Sequence, residues 1–407
     1  MPIPKRSDMS KRVMVTGMGI ISAIGENLNE NYQSLRKSES GISAAVNFTS
    51  AYTASLPFGE VKKNNEALKK MLHLEKEPGF TRTCLLAIKA FEEAVHHAGL
   101  KQEEISSYDT AVISASTVGG MCLTDQLYQD ANSTSGGSEY LSAYGCASHT
   151  LKLVERFGIK GFTNTINTAC SSSANSIMLG TRLIKSGRAK RVIAGGVDSL
   201  AKYTVNGFNA LKILSGAPSR PFDQDRDGLN LGEAAAYLVL EAEEHVQGKE
   251  IYAEISGYGN ANDAHHPSAM SDEATGAIAS MRSALESAGI LPAQIDYVNA
   301  HGTGTPNNDQ VEFYGLTQLF ENMPFYNSTK SYTGHTLGAA GAVEAVFSIL
   351  SIVHAEIFAG LNVHQPLSAE HPAVSVFQQN VSVNHVLSNS FGFGGNCTSL
   401  VMSKYRP

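Results

Sequence analysis

Short apolar runs that end near glycines alternate with longer amphipathic segments along this chain, and this alternation limits the folds open to it. The strand-like runs include RVMVTGMGIIS, TAVISAS and RVIAGGVD, which begin at Arg12, Thr110 and Arg191. LLAIKAFEEAVHHAG, from Leu85 to Gly99, has helical periodicity and closes on glycine. Strands that alternate with helices predict an α/β fold with mostly parallel sheets.

A weak internal repeat accompanies this alternation. NTACSSSANSIMLG places Cys170 before a helix rich in small residues, and SYTGHTLGAAGAVEA places His335 before another. Two similar halves would account for the length of 407 residues, whereas chance similarity of two helices explains the pattern equally well. We predict an N-terminal half at residues 12–250 and a C-terminal half at residues 251–407.

Composition argues against several classes of protein. Apolar residues make up 42% of the chain and charged residues 17%, which predicts a globular protein, and a net charge of −7 argues against nucleic-acid binding. The five cysteines are scattered and odd in number, which argues against a disulfide framework or a zinc site. MPIPKRSDMSKR lacks the apolar core of a signal peptide, and the most apolar stretch, 345–353, is too short to span a bilayer. We therefore expect a cytoplasmic protein that neither enters a membrane nor holds a metal.

Cys170 is the first candidate for a chemical role. A helix that begins at Ser171 or Ser172 would direct unpaired N–H groups and the positive end of its dipole at the sulfur. Such a position lowers a thiol pKa, so we expect a nucleophilic thiolate that small neighbours leave accessible. A buried structural cysteine is the alternative.

Three further motifs carry polar groups in glycine-rich turns. NAHGTGTPNND contains His301, and it offers the hydroxyls of Thr303 and Thr305 to a polar ligand chain. Lys330 and His335 stand in NSTKSYTGHTLG, and NSFGFGGNC offers backbone N–H groups in a turn. Hydrogen-bonded loop histidines and a plain glycine-rich hairpin are the alternatives. Taken together, a thiol, two imidazoles, an ammonium and N–H donors predict an acyl-transfer site without a metal.

These motifs, in this order and spacing, resemble those of the elongating β-ketoacyl-acyl carrier protein synthases over nearly the whole chain. SRPFDQDRDGLNLGEAAAYLVLE matches a further segment of that family. The resemblance implies a thiolase-like α/β fold with two pseudo-repeated βαβαβαββ halves in five αβαβα layers. It also implies an acyltransferase with no required cofactor and with four catalytic residues: Cys170, His301, His335 and Lys330.

The reaction implied by this resemblance is a decarboxylative Claisen condensation. Cys170 would hold an acyl chain as a thioester, and malonyl-acyl carrier protein would lose CO₂ and extend that chain. His301 and His335 would donate their Nε2–H groups to the enolate oxygen. Glu344 would form a buried pair with Lys330 behind the site and hold the histidine tautomers.

Further roles follow from the same resemblance. The N–H groups of Cys170 and Phe393 would form the oxyanion hole, and the Phe393 ring would swing to admit the acyl chain, with core packing as the alternative. Thr303 and Thr305 would bind the phosphopantetheine of the carrier protein. A structural monovalent cation, or else a plain hydrogen-bond cluster, would fall on Asn299, Ala300, Glu344, Ser388 and Asn389. A basic patch for the acidic carrier protein, or else a solvated helix face, would include Lys62, Lys63, Lys69, Lys70 and Lys212.

Three departures from the usual fatty-acid elongation enzymes favour a specialised pathway, such as aryl polyene synthesis. They are the short segment KILSGAPSRPFD, the NND of HGTGTPNND and the NC of FGGNC. We expect at least a dimer, either with a second copy or with a related ketosynthase-like subunit. The alternatives are a non-catalytic, tunnel-shaping subunit and a coenzyme A-dependent thiolase. The thiolase would need a second nucleophilic cysteine, and the nearest, Cys397, reads as packed in a strand.

Overall fold

The computed structural model describes residues 11–133, 135–246 and 248–407, and most of the segment used to judge a signal peptide lies outside them. The strands are β1 (Val13–Ile21), β2 (Thr110–Ala115), β3 (Thr163–Ile166), β4 (Arg191–Asp198), β5 (Ala234–Ala242), β6 (Ala253–Asn262), β7 (Tyr297–Asn299), β8 (Phe325–Asn327), β9 (Glu356–Ile357), β10 (Gln378–Gln379), β11 (His385–Phe391) and β12 (Asn396–Ser403). The helices are α1 (Leu28–Arg36), α2 (Asn65–Met71), α3 (Arg82–His97), α4 (Gln102–Ile105), α5 (Thr124–Ser133), α6 (Ser148–Phe157), α7 (Ser172–Lys185), α8 (Lys202–Ala210), α9 (Thr275–Ala288), α10 (Pro306–Leu319), α11 (Lys330–Thr333) and α12 (Ala340–His354).

The large sheet consists of two five-stranded units with the same strand order. Its strands run β3-β2-β4-β5-β1 and then β6-β12-β11-β7-β8. In the first unit, β3, β2, β4 and β1 run in one direction, and β5 runs antiparallel between β4 and β1. In the second unit, β8, β7, β11 and β6 likewise share one direction, and β12 runs antiparallel between β11 and β6. The units join where Met14 and Val15 pair with Glu254 and Ala253. The predicted thiolase-like α/β fold is confirmed.

The helices and the two sheet units form five layers. α3 and α6 cover the outer face of the first unit, α9 and α10 cover that of the second, and α7 and α12 pack between the units. The apolar helical segment Leu337–His354 is long enough to cross a membrane, which corrects the shorter stretch expected from sequence. Because 89% of that segment is buried within the protein, its apolar character is that of a central core helix.

Each half has a pair of glycines at equivalent positions of one strand, and these glycines let a helix pack closely against the sheet. A Cβ at Gly19 of β1 would lie 2.1 Å from the carbonyl oxygen of Ala90 in α3. A Cβ at Gly259 of β6 would lie 2.0 Å from the carbonyl oxygen of Ser280 in α9. The sequence runs TGMG in β1 and SGYG in β6 therefore serve equivalent close contacts between helix and strand.

The two central helices also meet through small residues. A Cβ at Gly341 of α12 would lie 2.8 Å from the Cβ of Ala174 in α7. The backbone N–H of Ala342 donates to Ser173 Oγ at 2.9 Å. This contact sets the start of α7 directly against the start of α12.

Candidate active site

Cys170 lies in a tight turn between β3 and α7. Ala169 has a φ of +53°, a left-handed conformation that costs a non-glycine residue roughly 1–3 kcal/mol. Ser172 Oγ accepts the N–H of Thr168 at 2.8 Å and donates to the carbonyl of Ala169. α7 starts at Ser172, with Ser171 as the residue before it. The serine run therefore holds the strained turn that places the sulfur at the start of the helix.

The thiol of Cys170 is buried, and burial raises its pKa to about 11. The charge of Lys330 and the backbone N–H of Phe393 act in the opposite direction, because both favour the thiolate. Removal from water outweighs these effects, so the resting group at neutral pH is the thiol. This differs from the resident thiolate that the helix start led us to expect.

His335 lies between α11 and the 3-10 turn that precedes α12. Its backbone N–H donates to the carbonyl of Asn230 at 2.8 Å, and its Nδ1 accepts the N–H of Leu337 at 3.2 Å. An imidazole whose Nδ1 accepts a hydrogen bond carries its own hydrogen on Nε2. Burial and the charge of Lys330 lower the pKa of His335 well below its ordinary value, so the ring is neutral.

His301 follows β7 and reaches the same tautomer by a different contact. Lys330 Nζ lies 3.3 Å from His301 Nδ1, and an ammonium group can only donate, so Nδ1 accepts. Burial, with the charge of Lys330 and the neighbouring His335, lowers the pKa of His301 well below its ordinary value. The two imidazole centroids are 5.4 Å apart with their planes at 84°. The site therefore holds two neutral rings that both carry Nε2–H.

Lys330 uses all of its ammonium hydrogens within the site. Besides Nδ1 of His301, it donates to the carbonyl of His301 at 2.5 Å and to Glu344 Oε1. The Lys330 and Glu344 side chains are each 3% exposed. Burial raises the pKa of Glu344 to about 7, and the charge of Lys330 opposes that rise. The pair sets the tautomer of His301 directly, whereas the backbone of Leu337 sets that of His335.

Two buried oxygens beside this pair have no hydrogen-bond partner among the described residues, Asn299 Oδ1 and Glu344 Oε2. Asn299 Nδ2 lies 3.4 Å from the carbonyl oxygen of Glu344, which brings the two residues together. Asn389 points elsewhere, since its amide binds Glu312 at 3.1 Å and Ser399 at 2.8 Å. Oxygen atoms without partners suit a hard cation, whereas residues 11–133, 135–246 and 248–407 hold no cluster of His, Cys, Asp or Glu arranged for a metal.

The turn between β11 and β12, residues 392–395 and hereafter the gate turn, packs against the turn of Cys170. A Cβ at Gly392 would lie 2.7 Å from the carbonyl oxygen of Thr168. Phe393 is 36% exposed, and its ring stacks on Phe208 with centroids 5.6 Å apart. Phe393 and Phe208 thus form a stacked aromatic pair in the wall of the cavity that Cys170 lines.

Cys170, His301 and His335 line one cavity of about 280 Å³. The apolar part of its wall includes Phe208, Ile213, Leu229 and Phe393. Thr303 and Thr305, whose Oγ1 atoms lie 2.8 Å apart, add hydroxyl groups to the same wall. The structure therefore brings the predicted nucleophile, both predicted imidazoles and both predicted threonines to one space.

Sequence reasoning misses two buried carboxylates that hold the loops of this site. Glu312 of α10 accepts the backbone N–H groups of His301 and Gly302, each at 2.8 Å. Asp198, the last residue of β4, accepts the N–H of Gly338 at 2.7 Å and so holds the turn before α12. An acidic residue at the carboxyl end of a buried strand was the available signal for Asp198.

The lysines predicted to dock a carrier protein lie outside the wall of the Cys170 cavity. Lys62 Nζ donates to the carbonyl of Gly41 at 3.1 Å, and Lys63 pairs with Glu26 at 3.2 Å. Lys69 and Lys70 lie on α2, and neither they nor Lys62 and Lys63 border the cavity of Cys170. Lys212 is exposed and precedes Ile213 of the cavity wall. Lys212 is thus the candidate closest along the chain to the cavity.

Cys397 lies in β12 and is 1% exposed, outside the cavity. Its Sγ contacts the carbonyl of Gly395 at 3.5 Å, and burial raises its pKa to about 12. A second nucleophile next to Cys170, which a thiolase requires, is therefore not supplied by this residue.

The doubled sheet with two central helices defines the class of thiolase-like condensing enzymes, since one central helix follows a cysteine and the other follows a histidine. Sequence profiles narrow the class. That of the β-ketoacyl synthase N-terminal domain matches residues 10–246, and that of the C-terminal domain matches residues 252–364. The chain belongs to the β-ketoacyl synthase family, which confirms the predicted ketosynthase class and its acyltransferase type.

Individual relatives agree with this assignment. The 3-oxoacyl-[acyl-carrier-protein] synthase 2 of Synechocystis sp. is 33% identical over 413 residues, 97% of this chain and 99% of that protein. The enzyme of the same name from Coxiella burnetii has the same identity and coverage. Among solved structures, the ishigamide ketosynthase/chain length factor matches with a TM-score of 0.90 and 28% identity, over 97% of this chain and 100% of that chain. A ketosynthase in complex with its chain length factor from Xenorhabdus doucetiae matches with a TM-score of 0.84 and 31% identity over all of both chains.

Proposed function

We propose that the protein condenses malonyl-acyl carrier protein with an acyl chain held on Cys170. The observation that carries this proposal is the shared cavity, in which a cysteine at a helix start meets two neutral imidazoles that both carry Nε2–H. A thiol supplies covalent capture of an acyl group, and paired N–H donors stabilise an enolate.

Acyl transfer comes first. The Cys170 thiolate attacks the carbonyl of an acyl thioester on the carrier protein, and the phosphopantetheine thiolate leaves as the new thioester forms. The N–H groups of Cys170 and Phe393 are the proposed donors to the tetrahedral oxyanion. Neither histidine has an unprotonated nitrogen facing the cavity, so we propose that the thiol proton leaves to solvent before the attack.

Condensation follows when malonyl-acyl carrier protein enters. The bond to the malonyl carboxylate breaks with release of CO₂, and the electron pair forms an enolate whose oxygen receives the Nε2–H groups of His301 and His335. The enolate carbon then attacks the acyl carbonyl on Cys170, and the Cys170 thiolate leaves. The product is a β-ketoacyl chain, longer by two carbons, on the carrier protein. Lys330 and Glu344 act behind the rings as positioning residues.

Carrier-protein recognition is proposed from the cavity wall. Thr303 and Thr305 offer hydroxyls to the amides of a phosphopantetheine arm, and exposed Lys212 next to Ile213 offers a charge to an acidic carrier protein. Docking of the carrier protein at the other four lysines has less support because they lie away from the cavity wall. These are Lys62, Lys63, Lys69 and Lys70.

A monovalent cation is proposed beside Asn299 and Glu344. Their partnerless oxygens supply two side-chain ligands, and the carbonyls of Ala300, Ser388 and Asn389 are the predicted remainder. The ion would neutralise charge behind the histidines and rigidify the loops. Thermal unfolding in potassium chloride should show a higher midpoint than in a bulky organic chloride of equal ionic strength, and equal midpoints would contradict the ion.

A second chain is proposed at the edge of β3. This strand ends the large sheet and is partly exposed, and the apolar side chains of Leu141, Leu151 and Phe162 stand in solvent. An exposed strand edge with apolar neighbours is a surface that another chain covers. Both structural relatives at 28% and 31% identity include a chain length factor in their description. The mass of the protein purified alone separates a homodimer from a chain that requires a related subunit.

The pathway is proposed to be a specialised one, of the aryl polyene kind, in the cytoplasm. The NND and NC departures and the likeness to ketosynthases with chain length factors support it over bulk fatty-acid synthesis. Mass spectrometry of the acyl group bound to Cys170, in protein isolated from the cells that make it, tests this proposal. A polyunsaturated chain would support the polyene pathway, and a saturated chain would support fatty-acid synthesis.

The direct test of the activity uses purified full chain, acyl-carrier protein and malonyl-carrier protein, with mass spectrometry of Cys170 and of the product. We expect an acyl adduct on Cys170 and a product longer by two carbons. A protein that forms neither would be the non-catalytic subunit, and one that condenses acyl-coenzyme A without malonyl decarboxylation would be a thiolase.

A further inference from the structure

Asn396 stands at the start of β12, directly after the gate turn. Its backbone carbonyl accepts the N–H of Gly392 at 2.8 Å and so closes that turn. Its side-chain Oδ1 accepts the hydroxyl of Ser171 at 2.7 Å and an amide N–H of Asn175 at 2.8 Å. Ser171 is the residue between Cys170 and α7. One residue therefore holds the gate turn with its backbone and the nucleophile helix with its side chain.

Residues of two neighbouring strands fix the position of this amide. Asn260 of β6 donates to Asn396 Oδ1 at 3.0 Å and to Thr398 Oγ1 at 2.8 Å. Thr398 Oγ1 in turn contacts Asn396 Oδ1 at 3.3 Å and Asn175 Oδ1 at 3.0 Å. The Oδ1 atom is surrounded by more donors than it has lone pairs, so it is constrained from several sides.

The two N–H donors of the proposed oxyanion hole come from different parts of the chain. Cys170 contributes one from the nucleophile turn, and Phe393 contributes the other from the gate turn. We infer that Asn396 is a positioning residue that sets the spacing of these two donors and so controls the acylation of Cys170. This inference rests on the proposed condensation.

Malonyl decarboxylation should depend much less on Asn396. The His301 loop is held by Glu312 and Lys330, and His335 is held by the backbone of Leu337. These contacts leave the Nε2–H donors of the enolate in place when Asn396 is changed. The two half-reactions thus separate a positioning role from a general loss of structure.

The test compares two rates in the full-length Asn396→Ala variant, with carrier-protein substrates. Single-turnover acylation of Cys170, followed by intact mass, should fall about tenfold to a hundredfold, because a small displacement of an oxyanion donor has such an effect. Release of CO₂ from malonyl-carrier protein should stay within about twofold, because its donors keep their supports. A merely structural role would lower both rates together.

Two further variants make the comparison decisive. Asn396→Thr keeps an acceptor oxygen nearer the backbone, which cannot serve all the donors, so its ratio of rates should fall between those of the unaltered chain and Asn396→Ala. Ser256→Ala removes a 2.7 Å hydrogen bond to Ser403 between the same strands at their far end, and it should leave the ratio unchanged.

Equal losses of both rates, or an unchanged ratio in both Asn396 variants, would overturn the inference while leaving the proposed function intact. An unaltered chain that neither acylates Cys170 nor releases CO₂ would overturn the proposed function, and the inference with it. If Asn396→Ala does not fold, Asn396→Thr carries the comparison.

Discussion

In the first half of the molecule, β3 leads through the turn of Cys170 into α7. At the equivalent place in the second half, β8 leads through Lys330 and His335 into α12. The loop after β7 adds His301, whereas the equivalent loop after β2 leads into the long segment of α5 and supplies no residue to the cavity wall. The scaffold is thus repeated while the proposed chemistry is divided, since the proposed nucleophile lies in the first half and the proposed enolate donors lie in the second, which also lends the backbone N–H of Phe393 to the oxyanion hole. The comparison teaches that loops at the carboxyl ends of strands carry the function and that the repeated core positions them.

The largest expected effect is the loss of acyl transfer when the Cys170 thiol of the first half is removed. Cys170→Ala should abolish acyl transfer, by at least about 10⁴-fold, because no other thiol lies in the described cavity wall. Decarboxylation of malonyl-carrier protein should persist, since its donors lie in the second half. Cys84→Ala, which removes a buried thiol within α3, is the control and should retain both activities. Acyl transfer that survives Cys170→Ala would break the division between halves.

The converse change removes a donor from the second half. His335→Ala should lower malonyl decarboxylation about 10²–10³-fold, the effect of losing one preorganised donor, while acylation of Cys170 stays within about threefold. CO₂ release and intact mass measure the two steps. His354→Ala, which alters the far end of α12, should change neither. Equal loss of both steps in His335→Ala would show that the halves are not separable.

The buried pair of Lys330 and Glu344, which supports the histidines of the second half, can be tested through the stability of the protein. Lys330→Met leaves the Glu344 carboxylate buried without its partner, so we expect a loss of roughly 3–5 kcal/mol in the free energy of unfolding. The double variant Lys330→Met/Glu344→Leu should be more stable than Lys330→Met, because it removes the unpaired charge. Chemical denaturation measures both, and a single variant as stable as the unaltered protein would refute the buried pair.

The repeated glycine contacts predict equal costs in the two halves. Gly19→Ala and Gly259→Ala each force a Cβ into a helix backbone, and each should cost about 1–3 kcal/mol of unfolding free energy. Gly207→Ala in α8 is the matched control, because its Cβ would meet nothing within 4 Å. A large difference between the first two variants would show that the halves are repeated in strand order but not in packing.

The last comparison concerns pH, on which only the Cys170 side of the site should depend. Burial raises the pKa of Cys170 to about 11, so its thiolate fraction and its alkylation by iodoacetamide should increase about tenfold per pH unit between pH 7 and 9. The pKa of both histidines lies well below 6.5, so malonyl decarboxylation should be flat over the same range. Peptide mass spectrometry of alkylated Cys170 and CO₂ release measure the two. Alkylation that is already maximal at pH 7 would contradict the raised pKa and would show that Cys170 is a thiolate at neutral pH, as the sequence led us to expect.

Local patterns in the sequence were enough to predict the α/β fold and to select Cys170, His301 and His335, because reactive residues in glycine-rich turns next to strands are visible without coordinates. The repeat was inferred from α7 and α12, while the clearer pair, Gly19 and Gly259, went unnoticed because close packing of helix and strand is not a local property. Asp198, Glu312 and Asn396 were missed for the same reason, since each acts on loops far away in the chain. The thiol pKa was misjudged because burial is a property of the folded protein.

The contact of Gly341 with Ala174 joins the two central helices at a point with no space for a larger side chain. The separation between the Cys170 sulfur and the His335 imidazole is consequently set by the packing of the two helix backbones. It does not depend on the acyl chain that the cavity holds. Residues such as Ile213 and Leu229 can change to admit chains of other lengths or shapes while the reacting atoms keep their distance. Engineering of acyl-chain preference is therefore best confined to the cavity wall, with α7 and α12 left as they are.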